Sequence, residues 1–193
     1  EERGREVGKA LAKLAGDGEA AVLSGPPADN VNDAVTGAVD GLESGGMKVV
    51  GNTENQRNMN GDAPGAQKIA QAILATNPGL DALLVFNAES ATGALAAAKQ
   101  AGVSDHLKIA TMAGEDVNMA QLEAGQISLS YDFNGIAYGQ RMATELIAPQ
   151  LEKGSVPESL VEAPLGQLYT ADNAKDYKPW CERIQYVKLS STY

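Results

Sequence analysis

A turn signal, Asn77-Pro78-Gly79, releases five consecutive apolar residues, Ala82 to Phe86. The run is too short and too continuous for a surface helix and suits a strand buried on both faces. It stops on a polar residue, Asn87, and small helix formers follow at once: Ser90, Ala91, Ala94, Leu95 and Ala96 to Ala98. Asn87 is therefore expected where a parallel strand ends and a helix begins. In open α/β sheets ligands bind beyond the carboxyl ends of the strands, so a binding site in this chain should include Asn87.

The same grammar repeats along the chain. Val7, Ala10, Leu11 and Leu14 recur at helical spacing, and Gly16-Asp17-Gly18 stops that helix. Glu19 to Leu23 reads as a first strand ending in the sharp turn Ser24-Gly25-Pro26-Pro27. Asp29 or Asn30 is expected to cap a helix with the apolar face Val31, Val35, Ala38 and Leu42. Met47 to Val50 is a second strand, and Ile69, Ile73 and Leu74 belong to a third helix. After the central stretch, Leu107 to Met112 and Gln126 to Tyr131 supply a fourth and a fifth strand, the fifth nearer a sheet edge because it partly alternates. A long helix over 135–151 offers Ile136, Met142, Leu146, Ile147 and Leu151 for burial, with Pro149 near its end. Helical periodicity fades in the last forty or so residues, where a short strand near Leu160 and Val161 is expected and Tyr169, Tyr177 and Trp180 suggest a tail held by its aromatics.

Five strands alternating with helices predict an α/β fold: a three-layer αβα arrangement with a five-stranded, mainly parallel sheet in the flavodoxin-like order 2-1-3-4-5. The first and third strands then meet at the switch point, which puts Ser24-Gly25 beside Asn87. The segment Asn52 to Gly65, NTENQRNMNGDAPG, follows the second strand's carboxyl end and carries four asparagines. A loop of that length inside a compact domain is either functional or mobile.

Charge and composition exclude several classes of function. A formal charge of −10, with the 15 Lys and Arg unclustered, argues against nucleic acid as a partner. No apolar run reaches the roughly 18 to 20 residues that span a bilayer. One cysteine, Cys181, excludes an internal disulfide, and with a single histidine, His106, expected in a solvated loop, metal and Ser-His-Asp chemistry both lack parts. A response-regulator phosphoacceptor would need an aspartate where Asn87 stands and an acidic pair where Ser24-Gly25 stands, and no GxGxxG loop follows the first strand.

Several stretches resemble the type I periplasmic binding proteins of sugar ABC importers, the ribose-binding-protein-like group. NPGLDALLVFNAESATGALAAAKQAG carries most of the resemblance; GREVGKALAKLAG, AVLSGPPADNVNDAVTGAVDGL and LEAGQISLS support it. The resemblance implies two lobes closing on a sugar, of which this chain is the C-terminal one, over 1–165, with a tail over 166–193 packed on it. On that resemblance the first lobe lies outside this sequence, which is expected to be either a fragment or a lobe that works with one supplied by another chain. Carried over by position, it implies ligand contacts at Asn32, where the family often has Arg, near Asn60, at Asn87, and at Asp132 or Phe133. Where the family has Gly-x-Asp-Gly, this chain has Thr111-Met112-Ala113-Gly114, which removes a carboxylate that usually grips sugar hydroxyls. Asn87 has an alternative role as a plain helix cap, and Asp132 as a strand terminator.

The function so implied is non-catalytic and needs no cofactor: a solute-binding component of a sugar importer, periplasmic or extracellular, secreted or lipid-anchored. Its partners would be a sugar or related polyol, an ABC permease and the missing N-terminal lobe, with self-association of the isolated lobe also expected. The alternative is the effector-binding domain of a sugar-responsive transcription regulator of the same fold.

Overall fold

The computed structural model describes residues 1–154 and 166–184. Its sheet runs β2-β1-β3-β4-β5-β6, from β1 (Glu19–Leu23), β2 (Lys48–Val49), β3 (Ala82–Val85), β4 (Lys108–Thr111), β5 (Leu129–Asp132) and β6 (Gln167–Tyr169). The first five are parallel in the expected order. β3 sits in register between Ala20–Leu23 and Lys108–Thr111, and all four of its residues are fully buried. Ala82 and Leu84 face one layer of helices and Leu83 and Val85 the other, so both faces of the strand demand apolar residues.

One layer is α1 (Glu2–Ala15) and α2 (Asp29–Ser44); the other holds α3 (Ala63–Thr76), α4 (Ala88–Ala101) and α5 (Asp116–Glu123). The expected cap of α2 is displaced by one residue: Ala28 is the N-cap, without a side-chain bond, and Asp29 lies in the first turn. The α1–α2 contact is made backbone to backbone. A Cβ on Gly4 would lie 1.9 Å from the Ala34 carbonyl oxygen, and one on Gly37 would lie 2.0 Å from the Glu1 carbonyl oxygen. Gly8 and Gly41 repeat the arrangement one turn on, with a Cβ on either 2.4 Å from a carbonyl oxygen of the facing helix.

Two expectations change. The fifth strand starts later than expected, because Gly125 closes α5 with φ +67° and the chain must turn before it can pair. It is also not the edge: β6 pairs antiparallel to it, Tyr131 opposite Leu168, a three-residue strand too short to show a pattern in sequence. The expected strand near Leu160 and Val161 lies outside the described residues.

The long helix forms but is not buried as its pattern suggested. It runs through α6 (Gly135–Arg141), a π-helical turn (Met142–Ile147) and α7 (Ala148–Lys153). The π turn sits just ahead of Pro149, whose missing N–H and ring cannot fit an unbroken α-helical ladder. Tyr138, Met142, Ile147 and Leu151 are all exposed, Leu151 to 81 %. Because the π turn bonds i to i+5, Ile147 stacks over Met142 as Met142 stacks over Tyr138, so the four form one apolar stripe.

Aromatic rings pair within the C-terminal segment and between it and the exit of β5. Tyr169 and Tyr177 meet edge to face at 5.4 Å, as do Phe133 and Trp180 at 5.2 Å. The Tyr177 hydroxyl donates to Asp116 at 2.5 Å. Cys181 and His106 are exposed.

The helix seam makes glycine substitutions unequal. Gly4→Ala should destabilise the chain by about 1–3 kcal/mol, since its methyl can be seated only by moving a helix apart from its neighbour. Gly139→Ala, on an exposed helix with nothing near its Cβ position, should instead stabilise by roughly 0.5–1 kcal/mol; urea unfolding of both variants reads the contrast. Burial, and then the Asp116 acceptor, push the Tyr177 hydroxyl well above its ordinary value. The neutral phenol is the form the fold prefers, so its contribution is intact below about pH 10 and is lost as pH climbs towards the raised value. Tyr177→Phe should flatten the alkaline loss of stability without abolishing it, because burial also raises Tyr131 and Tyr169; unfolding midpoints between neutral and alkaline pH test this.

Candidate ligand-binding face

The carboxyl ends of the five parallel strands form one edge, and the loop after β2 is built into it. Ser24, the first residue past β1, is fully buried. Its N–H donates to the Gln56 carbonyl at 2.9 Å, its Oγ to the Thr53 carbonyl at 2.7 Å, and its carbonyl accepts the Asn58 N–H at 2.8 Å. Ser24 and Arg57 thus pair as an isolated parallel bridge that lengthens β1. Asn58, 1 % exposed, donates its amide to the Asp62 carbonyl at 2.8 Å and to the buried Ser90 hydroxyl at 3.1 Å. Asp62 then accepts from the Gly65 N–H at 2.8 Å and caps α3. These bonds run from the loop to the end of β1 and to α3 and α4.

Asn87 stands where expected and is the N-cap of α4. Its Oδ1 accepts from the Ser90 N–H at 3.0 Å, while its Nδ2 donates to the Gly61 carbonyl and to Glu89, each at 2.8 Å. Both amide protons are therefore committed, and what Asn87 can still offer a ligand is a lone pair on Oδ1. Asn60 is exposed and adjoins Gly61, so the Asn87–Gly61 bond sets its distance from the end of β3. Asn32, exposed on the first turns of α2, accepts through Oδ1 from Arg57 at 3.0 Å. Its Nδ2 keeps a pair of donors, which complements the acceptor at Asn87.

Asp132 ends β5, two strand spacings of about 4.8 Å each from β3. It shares the carboxyl edge with the three asparagines but not their neighbourhood. It is 1 % exposed, and its carboxylate already holds Arg183 at 2.6 Å, the Trp180 indole N–H at 3.3 Å and the Asn134 N–H at 3.0 Å.

Residues outside the sequence expectation matter as much. Arg57 is only 11 % exposed at its side chain; it binds Glu54 through two nitrogens, the Gly25 carbonyl at 3.1 Å, and Asn32. Its guanidinium holds the Glu54 carboxyl below the usual carboxylate range. The Phe86 ring lies flush on Gly25, where a Cβ would sit 2.5 Å from it, and reaches Gly61. The signal that could have found Arg57 and Asn58 is their place in the asparagine-rich loop, but Gly25, Asn32, Ser24 and Ser90, to which they bond, are more than twenty residues away in sequence.

The electrostatics of the edge are largely self-compensated. Helix amino termini carry partial positive charge and attract anions. Here the first turns or caps of α2, α3, α4 and α5 already hold Asp29, Asp62, Glu89 and Asp116. Both guanidiniums, Arg57 and Arg183, are paired to carboxylates. The arrangement suits an uncharged group that both donates and accepts. Among the described residues no cluster of His, Cys, Asp and Glu is placed to hold a metal ion.

Comparison with known proteins bears on the fold and the family. A curated D-ribose/D-allose-binding protein from Pseudomonas aeruginosa is 29 % identical over 167 residues, covering 82 % of this chain and 51 % of its own. A solute-binding protein of an ABC transporter from Agrobacterium vitis, bound to α-D-tagatopyranose, superposes with a TM-score of 0.78 at 20 % identity, covering 96 % of this chain and 60 % of its own. One from Actinobacillus succinogenes with bound D-allose gives 0.75 at 22 % identity, covering 91 % and 60 %. The chain spans about half the length of the curated relative it matches. The profile of the periplasmic binding protein domain matches residues 1–151, and the chain belongs to that family.

Proposed function

We propose that this chain is the C-terminal, ligand-facing lobe of a solute-binding component of an ABC sugar importer, and that it grips a small uncharged polyol or sugar against the β1–β3 end of its carboxyl edge. The observation that carries the reading is the convergence of Asn32, Asn60 and Asn87 on one ordered loop, with a donor pair at Asn32 and an acceptor at Asn87. Sugar hydroxyls both donate and accept, and amides on fixed backbone meet them without flexible arms. The Phe86 ring beside Gly25 and Gly61 gives the carbon face of such a ligand an apolar floor. Asp132 joins the ligand set only if its present partners yield, so the asparagines are the primary contacts.

The lobe in this proposal spans 1–165, with 166–193 as an appended segment whose strand β6 extends the sheet. The apolar stripe of Tyr138, Met142, Ile147 and Leu151 supports a partner body. Its contacts among the described residues lie mainly within its own helix, and an apolar face of that kind is normally covered. The cover we assign is the facing lobe, the periplasmic or extracellular half that closes the cleft, with an ABC permease docking to the closed pair. The catalytic part in this scheme is nil: the family is one of binding proteins.

Half a cleft should bind poorly. Titration calorimetry of the chain alone with D-allose or D-ribose should show no binding in the micromolar range. The same chain fused behind the first lobe of the Pseudomonas aeruginosa relative should show a rise in melting temperature with one of a panel of neutral sugars, and Asn87→Ala in the fusion should remove most of that rise. Micromolar binding by the lone chain, or a fusion indifferent to every neutral sugar, would sink the proposal. Sedimentation should further show concentration-dependent self-association of the lone chain, abolished by Ile147→Asp with Leu151→Asp; a strict monomer before mutation contradicts the role given to the stripe.

A further inference from the structure

Three passages of the chain meet at Asp132. It is the last residue of β5; two residues on, Asn134 caps α6 as the one described non-glycine residue with positive φ, at 53°. Gly166 brings the chain back into β6, so close to the Asp132 carbonyl oxygen that a Cβ would lie 1.9 Å from it, and its N–H donates to the Tyr131 hydroxyl at 2.6 Å. The third passage is α8 (Trp180–Arg183), which supplies Trp180 and Arg183 to the Asp132 carboxylate. That carboxylate also accepts from the Asn134 N–H, so the residue that starts α6 and the residues that end the described chain hang on the same two oxygens.

The contacts of Arg183 act on the docking of α8 in opposite directions. Arg183 lies over the rings of Tyr177 and Trp180, 5.3 and 5.9 Å from their centroids, and forms its ion pair through Nη1. These contacts favour the docked position. Its other edge, Nε and Nη2, is buried without an acceptor. Burying two donors unpaired opposes the docking that the ion pair and the rings favour. A segment held in this way can let go without unfolding the sheet.

We propose that Trp180–Arg183 is a clamp on the exit of β5, positioning Asp132 and through it the start of α6, so that this short C-terminal element sets the direction in which the 135–153 helix leaves the sheet. The first turn of that helix starts from Asp132 and Asn134, the Asn134 N–H donating to Asp132 and the Asn134 side chain accepting from the Ala137 N–H. When the clamp releases, Asp132 loses Trp180 and Arg183, the Asn134 N–H loses its fixed acceptor, and the first turn of α6 loosens. The clamp operates in this way whatever the cleft binds.

The test uses the whole chain and two readouts. Trp180 is the single tryptophan, so its emission and its quenching by acrylamide report directly on the docked segment. Hydrogen exchange of the Asn134 to Tyr138 amides reports on the helix start. In Arg183→Gln, Trp180 emission should shift to the red and quenching should increase, while exchange at Asn134 to Tyr138 rises tenfold or more and exchange at Leu83 to Val85 stays unchanged. Trp180→Phe, which keeps the ring against Phe133 but removes the N–H donor, should raise exchange at the same amides by less. Three results overturn the proposal: release of Trp180 with no change at the helix start, an equal rise at β3, or a Trp180 already quenched as freely as an unfolded tryptophan in the unaltered chain. If Arg183→Gln does not fold, Trp180→Phe decides alone, with a rise confined to Asn134–Tyr138 supporting the clamp and its absence ending it.

Discussion

The fold depends on how closely its helices approach one another over a sheet of very short strands. Strands of two to five residues give little length for side chains to spread burial along. The apolar area is gathered instead by bringing helices into backbone contact. Gly4 and Gly8 face Gly37 and Gly41 across the α1–α2 seam, and on the other layer Gly93 lies against the Ala63 carbonyl, where a Cβ would sit 2.3 Å from it. Side chains of alanine size line both seams: Ala34 and Ala38 on one, Ala66, Ala91, Ala94 and Ala97 on the other, all buried. Close approach of this kind maximises dispersion contact, and it leaves the larger residues, such as Leu11, Leu42, Leu83 and Leu84, to fill the space between helix and strand.

Given that body, the carboxyl edge is tied together around the buried Asn58. Asn58 ties the long loop to β1 through Ser24, to α3 through Asp62 and to α4 through Ser90. Its side chain adds the ties to α3 and α4 to those that Ser24, Arg57 and Asn87 make through Gln56, Thr53, Gly25 and Gly61. A buried, satisfied polar network of this kind contributes less to net stability than to fixing a single arrangement. Its effect is to turn a sheet end and a polar, glycine-containing loop into a surface with set donor and acceptor positions.

The two guanidiniums divide the edge into unlike halves. Around Arg57 the polar groups face solvent, and Asn32 and Asn60 are exposed. Around Arg183 they are drawn inward, and Asp132 is hidden under Trp180. The Arg57 half is open to a ligand. The Arg183 half is closed on the chain itself and holds the junction from which the 135–153 helix departs. One edge thus combines the face proposed for a ligand with the junction proposed as a clamp, and the neutralised helix termini between them leave no strong field to draw in an anion.

The sequence by itself determined the layered architecture, the order of the five parallel strands and the position of Asn87, because each rests on local periodicity and on which residues can end a strand or begin a helix. Ala82 to Phe86 could be read in place; so could Gly125 as a stop and Asn87 as a cap. Only the tertiary structure decided the rest. β6 was invisible because three residues carry no period and its pairing depends on Gly166 fitting against Asp132. The apolar pattern of the 135–153 helix was legible, but a pattern says that a face wants cover and not what lies over it. Arg57, Asn58 and Arg183 escaped for a common reason: hydrogen bonds and ion pairs join groups 25 to 51 residues apart (Arg57 to Asn32, Asn58 to Ser90, Asp132 to Arg183), and no local rule selects such partners. Asp132 shows the difference most directly, since sequence could place it at a strand end, and only the folded chain could bring Trp180 and Arg183 onto its two oxygens.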